Sequence, residues 1–334
     1  MKKLFDKLSQ HIDLTQSEME EIFEKILKGE VSESQIAAFL MGLKVKGETD
    51  SEITGIVNAL KKHALRLPKT FNDAMCNCGT GGDQSNSFNI STTVSFILAA
   101  GGIRVAKAGN RSVSSKSGSA DVLEELGINI SATPDVLSQS LEKVGISFMF
   151  AQSLHPAMRF IGPARCQLGI PTVMNIVGPL SNPVDLETQM MGLYRQDLQE
   201  IAVKVMRNLG RKRALVITGP DNLDEAALYG KNHYTLLENG KISKGSFTYK
   251  DLGMQEVNLS KIKGGTAREN AEILISVLKG EESPYLETSV LNAGLAFFAN
   301  GLVETIKDGV TLSRQLLGDG SAYQKLLELR EIQR

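Results

Sequence analysis

Charge imbalance, long apolar runs and paired cysteines are what this 334-residue sequence has least of. Its net charge is −1, so no global field draws it to nucleic acid or to an acidic membrane, and any anion site must be local. No stretch approaches the ~18 consecutive apolar residues of a membrane helix. The start, Met1-Lys2-Lys3-Leu4-Phe5-Asp6, is charged and amphipathic and has neither the apolar core nor the cleavage site of a signal peptide. The three cysteines, Cys76, Cys78 and Cys166, are odd in number. Cys76-x-Cys78 lacks the C-x-x-C redox spacing and a second pair for zinc, so reduced thiols in a cytoplasm are expected.

What is present is an ordinary globular composition, 42% apolar and 22% charged. The length exceeds the size at which one core usually stops growing, so a large domain with a smaller one is expected. Thirty-one glycines exceed the usual share and point to tight turns and to loops that approach a ligand closely.

Residues 1–70 read as a small all-helical domain. Three capping boxes, Thr15-x-x-Glu18, Ser32-x-x-Gln35 and Thr49-x-x-Glu52, each open a run of apolar residues at helical spacing. The block carries 11 Lys/Arg and 11 Asp/Glu and offers no basic footprint. A polar linker follows Pro68, and the period then changes. A short strand (74–78) runs into Gly79-Thr80-Gly81-Gly82-Asp83, a helix follows through Val94–Ala100, and Ile103–Lys107 is the next strand. Strand, glycine loop, helix and strand make a βαβ unit and imply a parallel sheet. Residues 71–334 therefore read as a large α/β domain with a mostly parallel central sheet and a helical C-terminal part. Prolines and glycines recur over 163–185, where the chain is expected to return to the helical domain.

The chemistry concentrates in two loops. In the first, glycines turn backbone N–H groups toward an anion, and Ser87, Asn89, Ser91 and Thr92 add donors where a helix begins. Taken alone, this string also reads as a tight turn with Ser91 as an N-cap. Its spacing matches neither Walker A nor G-x-G-x-x-G. The second loop, Lys107 to Asp121, holds three cations, five serines and two glycines after the next strand. At the carboxyl edge of an open α/β sheet, two such loops surround a ligand with several phosphates. Cys76-Asn77-Cys78 is more polar than a buried strand requires, and contact with the cleft is expected. Asp224-Glu225 is a pair of hard oxygen donors suited to Mg²⁺, although an exposed acidic turn is the commoner role.

The run Gly79 to Asp121, with His155-Pro156-Ala157-Met158-Arg159, Gly178-Pro179-Leu180-x-Asn182-Pro183 and Asp224-Glu225, resembles the anthranilate phosphoribosyltransferases over nearly the whole chain. The resemblance implies transfer of phosphoribose from phosphoribosyl pyrophosphate to the amine of anthranilate, with release of pyrophosphate, in tryptophan biosynthesis. It implies that Gly79, Gly82, Asp83, Ser87, Asn89, Ile90, Ser91, Thr92, Lys107, Ala108, Gly109, Asn110, Arg111, Ser112, Val113, Ser114, Ser115 and Ser119 hold phosphoribosyl pyrophosphate. Gly79, Asn110, His155, Met158, Arg165 and Gly178 would face anthranilate. Ser91, Asp224 and Glu225 would bind two magnesium ions. No covalent protein nucleophile is required, and a homodimer through the helical domain is implied.

One position departs from the family. Its loop reads Lys-His-Gly-Asn where this chain has Lys107-Ala108-Gly109-Asn110, so an imidazole is missing. Ala108 is either drift in an active enzyme or a change that weakens activity. Two rival readings are a pyrimidine nucleoside phosphorylase, whose loops differ from these, and a non-catalytic nucleic-acid-binding relative, which the near-neutral charge opposes.

Overall fold

The computed structural model describes residues 1–111 and 116–333. The chain opens with α1 (Lys2–Ser9), α2 (Gln16–Leu27), α3 (Glu33–Lys46) and α4 (Asp50–Lys62). All three expected capping boxes are formed, at Thr15, Ser32 and Thr49. Each satisfies two backbone donors that a helix start leaves open. Apolar faces of α2, α3 and α4 meet in a core that contains Phe23, Phe39, Ile56 and Leu60.

The sheet part follows as β1 (Ala74–Gly79), α5 (Ile90–Ala100), β2 (Arg104–Gly109), α6 (Ser119–Glu125), α7 (Pro134–Lys143) and β3 (Ile146–Phe150). The chain then forms α8 (Ala151–Leu154), a 3₁₀ turn at Pro156–Phe160, α9 (Gly162–Leu168) and α10 (Met174–Leu180). It continues with β4 (Leu186–Gly192), α11 (Gln199–Asn208), β5 (Arg213–Thr218), β6 (Asn232–Glu238) and β7 (Lys241–Phe247). Helices α12 (Ala267–Leu278), α13 (Pro284–Asn300), α14 (Ile306–Gly318) and α15 (Ser321–Ile332) complete it. Residues 161–180 return to the helical block: Ile161, Ala164, Met174 and Val177 share its apolar core.

The seven strands lie in the order β3-β2-β1-β4-β5-β6-β7, the first five parallel. Alternate side chains serve opposite faces, as a strand's period of two requires. Met75, Val105, Leu215 and Ile217 join the core beneath α5 and α13. Cys76, Ala106, Ala214 and Val216 face the other side. The antiparallel hairpin β6–β7 is absent from the sequence reading above, yet its turn is Asn239-Gly240, with φ of 51° and 74°. Asn-Gly with both residues left-handed is the usual chemistry of a tight hairpin turn.

Candidate active site

The connections reverse direction between β1 and β4, so a crevice opens at their carboxyl ends. Those ends are Gly79 and Gly192, which pair in register. Both must be glycine for a steric reason. A Cβ on Gly79 would collide with the Asp224 carboxylate, and one on Gly192 with the Asp224 carbonyl. Gly219, just past β5, stands in the same relation to the Glu225 carbonyl. Three strand ends thus admit the segment that carries the acidic pair. Gly192 and Gly219 are missing from the sequence reading, because only the register between distant strands reveals their role.

The loop after β1 bends through positive φ at Gly81 (66°), Gly82 (83°), Gln84 (58°) and Asn86 (51°). Such conformations are uncommon for non-glycine residues and concentrate at functional loops. Gly81 N donates to Asp224 Oδ2 at 2.6 Å, and Asp83 accepts from Asp224 N at 3.3 Å. The Thr80 hydroxyl is buried without a partner. Ser87 lies in the same loop, bonded through its N–H to Ser85. Asn89 caps α5 by position, and Ile90, Ser91 and Thr92 form the first turn. Ile90 is buried and donates its N–H to Phe88 O.

Lys107 is buried on the α5 side of β2 and donates to Ser91 Oγ at 3.1 Å. Asn77, expected to touch the cleft with Cys76 and Cys78, is instead fully buried in the central strand. Its polarity has a structural use: it donates to Ser91 O at 2.9 Å and accepts from Ser95 Oγ at 2.8 Å. Cys76 and Cys78 turn to the opposite face, buried, with Sγ atoms 3.6 Å apart. Ala108 is on their side of β2, its N–H directed at Cys76 Sγ. A side chain on Gly109 would press on Phe148 and on Ser119 Oγ, where α6 begins.

Asp224 and Glu225 are only 9% and 8% exposed, so they are no surface turn. Burial, with Asp83 alongside, pushes the Asp224 carboxyl up to about 7. Burial and the neighbouring Asp224 hold Glu225 well above the usual carboxylate range, while Lys107 draws both down. Among the described residues no three acidic, His or Cys groups form a self-sufficient metal cage. Two carboxylates beside a phosphate loop are what Mg²⁺ uses, since it keeps waters and takes other ligands from a substrate.

The second loop is described up to Arg111; Ser112, Val113, Ser114 and Ser115 lie outside the described residues. Asn110 is exposed, and its Oδ1 accepts from Gln152 at 3.2 Å. Arg111 is held by Asp121 and Glu124 at 2.6–2.8 Å. The remaining candidates come from 151–180. Cys78 and Gln189 both reach Pro179 O, and Asn182 donates to Ala106 O, which fixes the end of α10 over β1 and β2. A Cβ on Gly178 would meet open space there. His155 is 7% exposed with Nδ1 unpartnered, and burial pulls its pKa down, favouring neutral imidazole. Met158 packs against the core of the helical block. Arg165 is half-buried, has no carboxylate partner among the described residues, and is disfavoured as a cation by that burial.

Known proteins share this architecture. Residues 2–64 match the helical bundle domain of a glycosyl transferase family, and residues 72–323 match the a/b domain of a glycosyl transferase family. The anthranilate phosphoribosyltransferase of Streptococcus thermophilus is 69% identical over 100% of both chains. That of Streptococcus mutans is 63% identical over 100% of this chain and 99% of the relative. The solved anthranilate phosphoribosyltransferase of Thermus thermophilus superposes with a TM-score of 0.92 at 35% identity, covering 99% of each chain. A Saccharomyces cerevisiae anthranilate phosphoribosyltransferase in complex with PRPP and Mg shares the fold, with a TM-score of 0.90 at 22% identity over 99% and 96% of the two chains. The chain belongs to the anthranilate phosphoribosyltransferase family.

Proposed function

We propose that this protein transfers the 5-phosphoribosyl group from phosphoribosyl pyrophosphate to the amine of anthranilate, giving N-(5-phosphoribosyl)anthranilate and pyrophosphate, a step of tryptophan biosynthesis. The observation that carries the reading is the buried pair Asp224–Glu225 at the switch point, set against a glycine loop and a helix start. Two carboxylates are stable as anions there only if cations join them, and Lys107 is a single positive charge. Ser91, Asp224 and Glu225 would therefore hold magnesium, two ions as the family resemblance implies. Bound there, the metal supplies charge neutralisation of the leaving pyrophosphate.

The chain's own groups do the rest. Amides of the Gly79–Asp83 loop and of the α5 start hold phosphate oxygens, and Lys107 steadies Ser91. Gly109, Asn110, Arg111 and Ser112–Ser115 would complete the cradle from the second loop. Arg165 suits the anthranilate carboxylate, since it lacks an acidic partner of its own and guanidinium pairs bidentately with carboxylates. Asn110, the Gly79 backbone, His155, Met158 and Gly178 would flank the ring. As the bond from ribose C1 to pyrophosphate breaks, positive charge develops on C1, the neutral amine attacks from the opposite face, and the extra proton then carried on nitrogen passes to water or to the released pyrophosphate. Positioning and fixed dipoles supply the acceleration, with no covalent enzyme intermediate.

Closure of the helical domain (1–70, with 163–185) over the α/β domain would bring Arg165 to the cradle. Met41 and Val45, one turn apart on α3, are 41% and 62% exposed, and Ile12 is 45% exposed. These residues suit a homodimer through the helical domain. Exposed, unpaired Cys166 suits a reducing cytoplasm. Product analysis tests the reaction: incubation with both substrates and Mg²⁺ should yield phosphoribosylanthranilate and pyrophosphate. Phosphorolysis of thymidine in its place would support the nucleoside phosphorylase reading.

A further inference from the structure

Asn270 lies in the first turns of α12, far in sequence from both loops, and is 3% exposed. Asparagine is a poor helix-interior residue, because its amide competes for backbone partners. Here the amide is fully engaged elsewhere. Its Oδ1 accepts from Gly265 N at 2.8 Å; its Nδ2 donates to Asn89 Oδ1 and to Ser117 Oγ, both at 2.8 Å. Gly265 N–H can only donate, which fixes the orientation of the amide. One buried side chain thus joins the first loop at Asn89 to the second at Ser117.

The preceding residues brace the same loop. Phe88 N donates to Ile262 O, Gly264 N to Asn86 O, and Lys263 Nζ to Ser85 O. A Cβ on Gly264 would lie 2.9 Å from Phe88 Cα, so only glycine lets the two backbones meet. Asn89 occupies the N-cap of α5, yet it makes no capping hydrogen bond. An asparagine there ordinarily accepts from the second or third helical N–H and so occupies the helix start. The Asn270 amide holds Asn89 Oδ1 instead.

We propose that Asn270 is a positioning residue for the phosphorylated substrate: it draws Asn89 away from capping α5, keeps the helix start open to anions, and sets the spacing of the two loops. This inference rests on the proposed phosphoribosyl pyrophosphate site, and the residue itself touches no substrate.

Calorimetric titration with phosphoribosyl pyrophosphate and Mg²⁺ tests it. Binding by the unsubstituted protein is the first reading, and its absence would remove the site itself. Given binding, N270D, which keeps the shape but loses both donors and sets a carboxyl against Asn89 Oδ1, should weaken phosphoribosyl pyrophosphate binding about tenfold or more, while S117A, which adds no charge, should weaken it several-fold, the loss expected from one buried hydrogen bond. The KM for phosphoribosyl pyrophosphate should rise with it, while kcat and the KM for anthranilate change less than about twofold. N89A should weaken binding likewise, and adding N270D to N89A should cost much less than in the unsubstituted protein, because the two act as one unit. Unaltered binding by N270D, equal losses for both substrates, or full additivity in the double variant would overturn the proposal. If N270D folds poorly, S117A, which cuts one of the two ties, supplies the same comparison.

Discussion

Gly192 ends β4 with its Cα against the Asp224 carbonyl, at a distance that leaves no room for a Cβ. That contact, with its in-register partner Gly79 against the Asp224 carboxylate, places an acidic pair at the mouth of the sheet. Gly192→Ala should therefore displace the 223–228 segment, costing about 1–3 kcal/mol of stability by overpacking and weakening Mg²⁺-dependent substrate binding. Thermal unfolding and calorimetry measure the two effects; a variant with ordinary stability and binding would show that the segment has slack.

Asp224→Asn removes a buried carboxyl and with it a proposed metal ligand. Turnover should fall about a hundredfold or more, given the several kcal/mol that a metal contributes to charge stabilisation. Stability without Mg²⁺ should hold or rise, because the carboxyl is held at about 7 chiefly by burial. A loss of stability equal to the loss of activity would mark Asp224 as structural.

The same carboxyl sets a pH dependence. Its folded value of about 7 lies well above the ordinary aspartate value of 3.8, so the fold binds this proton more tightly than the unfolded chain does. The resulting stability is fully present below about 4 and is lost as the pH rises through 7. Mg²⁺ would compete with that proton for the carboxylate, so metal-dependent binding of phosphoribosyl pyrophosphate should strengthen as the pH rises from 6 to 8, by up to about tenfold per unit below 7. Flat affinity across this range would contradict the assignment.

Much of the fold and of the candidate site is legible in the sequence, because the signals are local. The capping boxes, the Gly79–Asp83 string and the serine-rich second loop announce themselves within a few residues. What escapes is set by contacts between distant segments. Gly192 and Gly219 matter only because the sheet brings Asp224 and Glu225 to them, and Asn270 only because α12 lies beside two loops more than 150 residues earlier. Asn77 misleads for a related reason: its polar side chain faces Ser91 and Ser95 inside the sheet, where the sequence suggests an open cleft. The β6–β7 hairpin carries a local signal, Asn239-Gly240, but its antiparallel pairing breaks the helical and parallel periodicities of the chain around it.

Stability of the helical domain depends on Glu52, which is fully buried. It accepts from Leu14 N at 2.8 Å and from Thr49 N and Lys46 Nζ at 2.9 Å. Glu52→Ala would leave Lys46 and two backbone donors, Leu14 N and Thr49 N, without their buried partner and should cost about 3 kcal/mol in chemical denaturation. Glu52→Gln should cost less, since it keeps an acceptor. A loss below about 1 kcal/mol for alanine would mean that water replaces the carboxylate.

Ala108 stands where the family resemblance implies a histidine. Ala108→His should lower the KM for anthranilate several-fold, about one hydrogen bond's worth, and leave the KM for phosphoribosyl pyrophosphate nearly unchanged. Equal or poorer turnover in the histidine variant would argue against a role for this position in acceptor binding.

The crevice at Gly79, Gly192, Asp224 and Glu225 is proposed to join anthranilate to a phosphoribosyl group with magnesium. The most direct measurement is the fluorescence of anthranilate after mixing with phosphoribosyl pyrophosphate, Mg²⁺ and this protein. The signal should fall steadily, stop falling when magnesium is chelated, and hardly change with Asp224→Asn. Undiminished fluorescence beside an active control enzyme, or a loss indifferent to magnesium, would contradict the proposal.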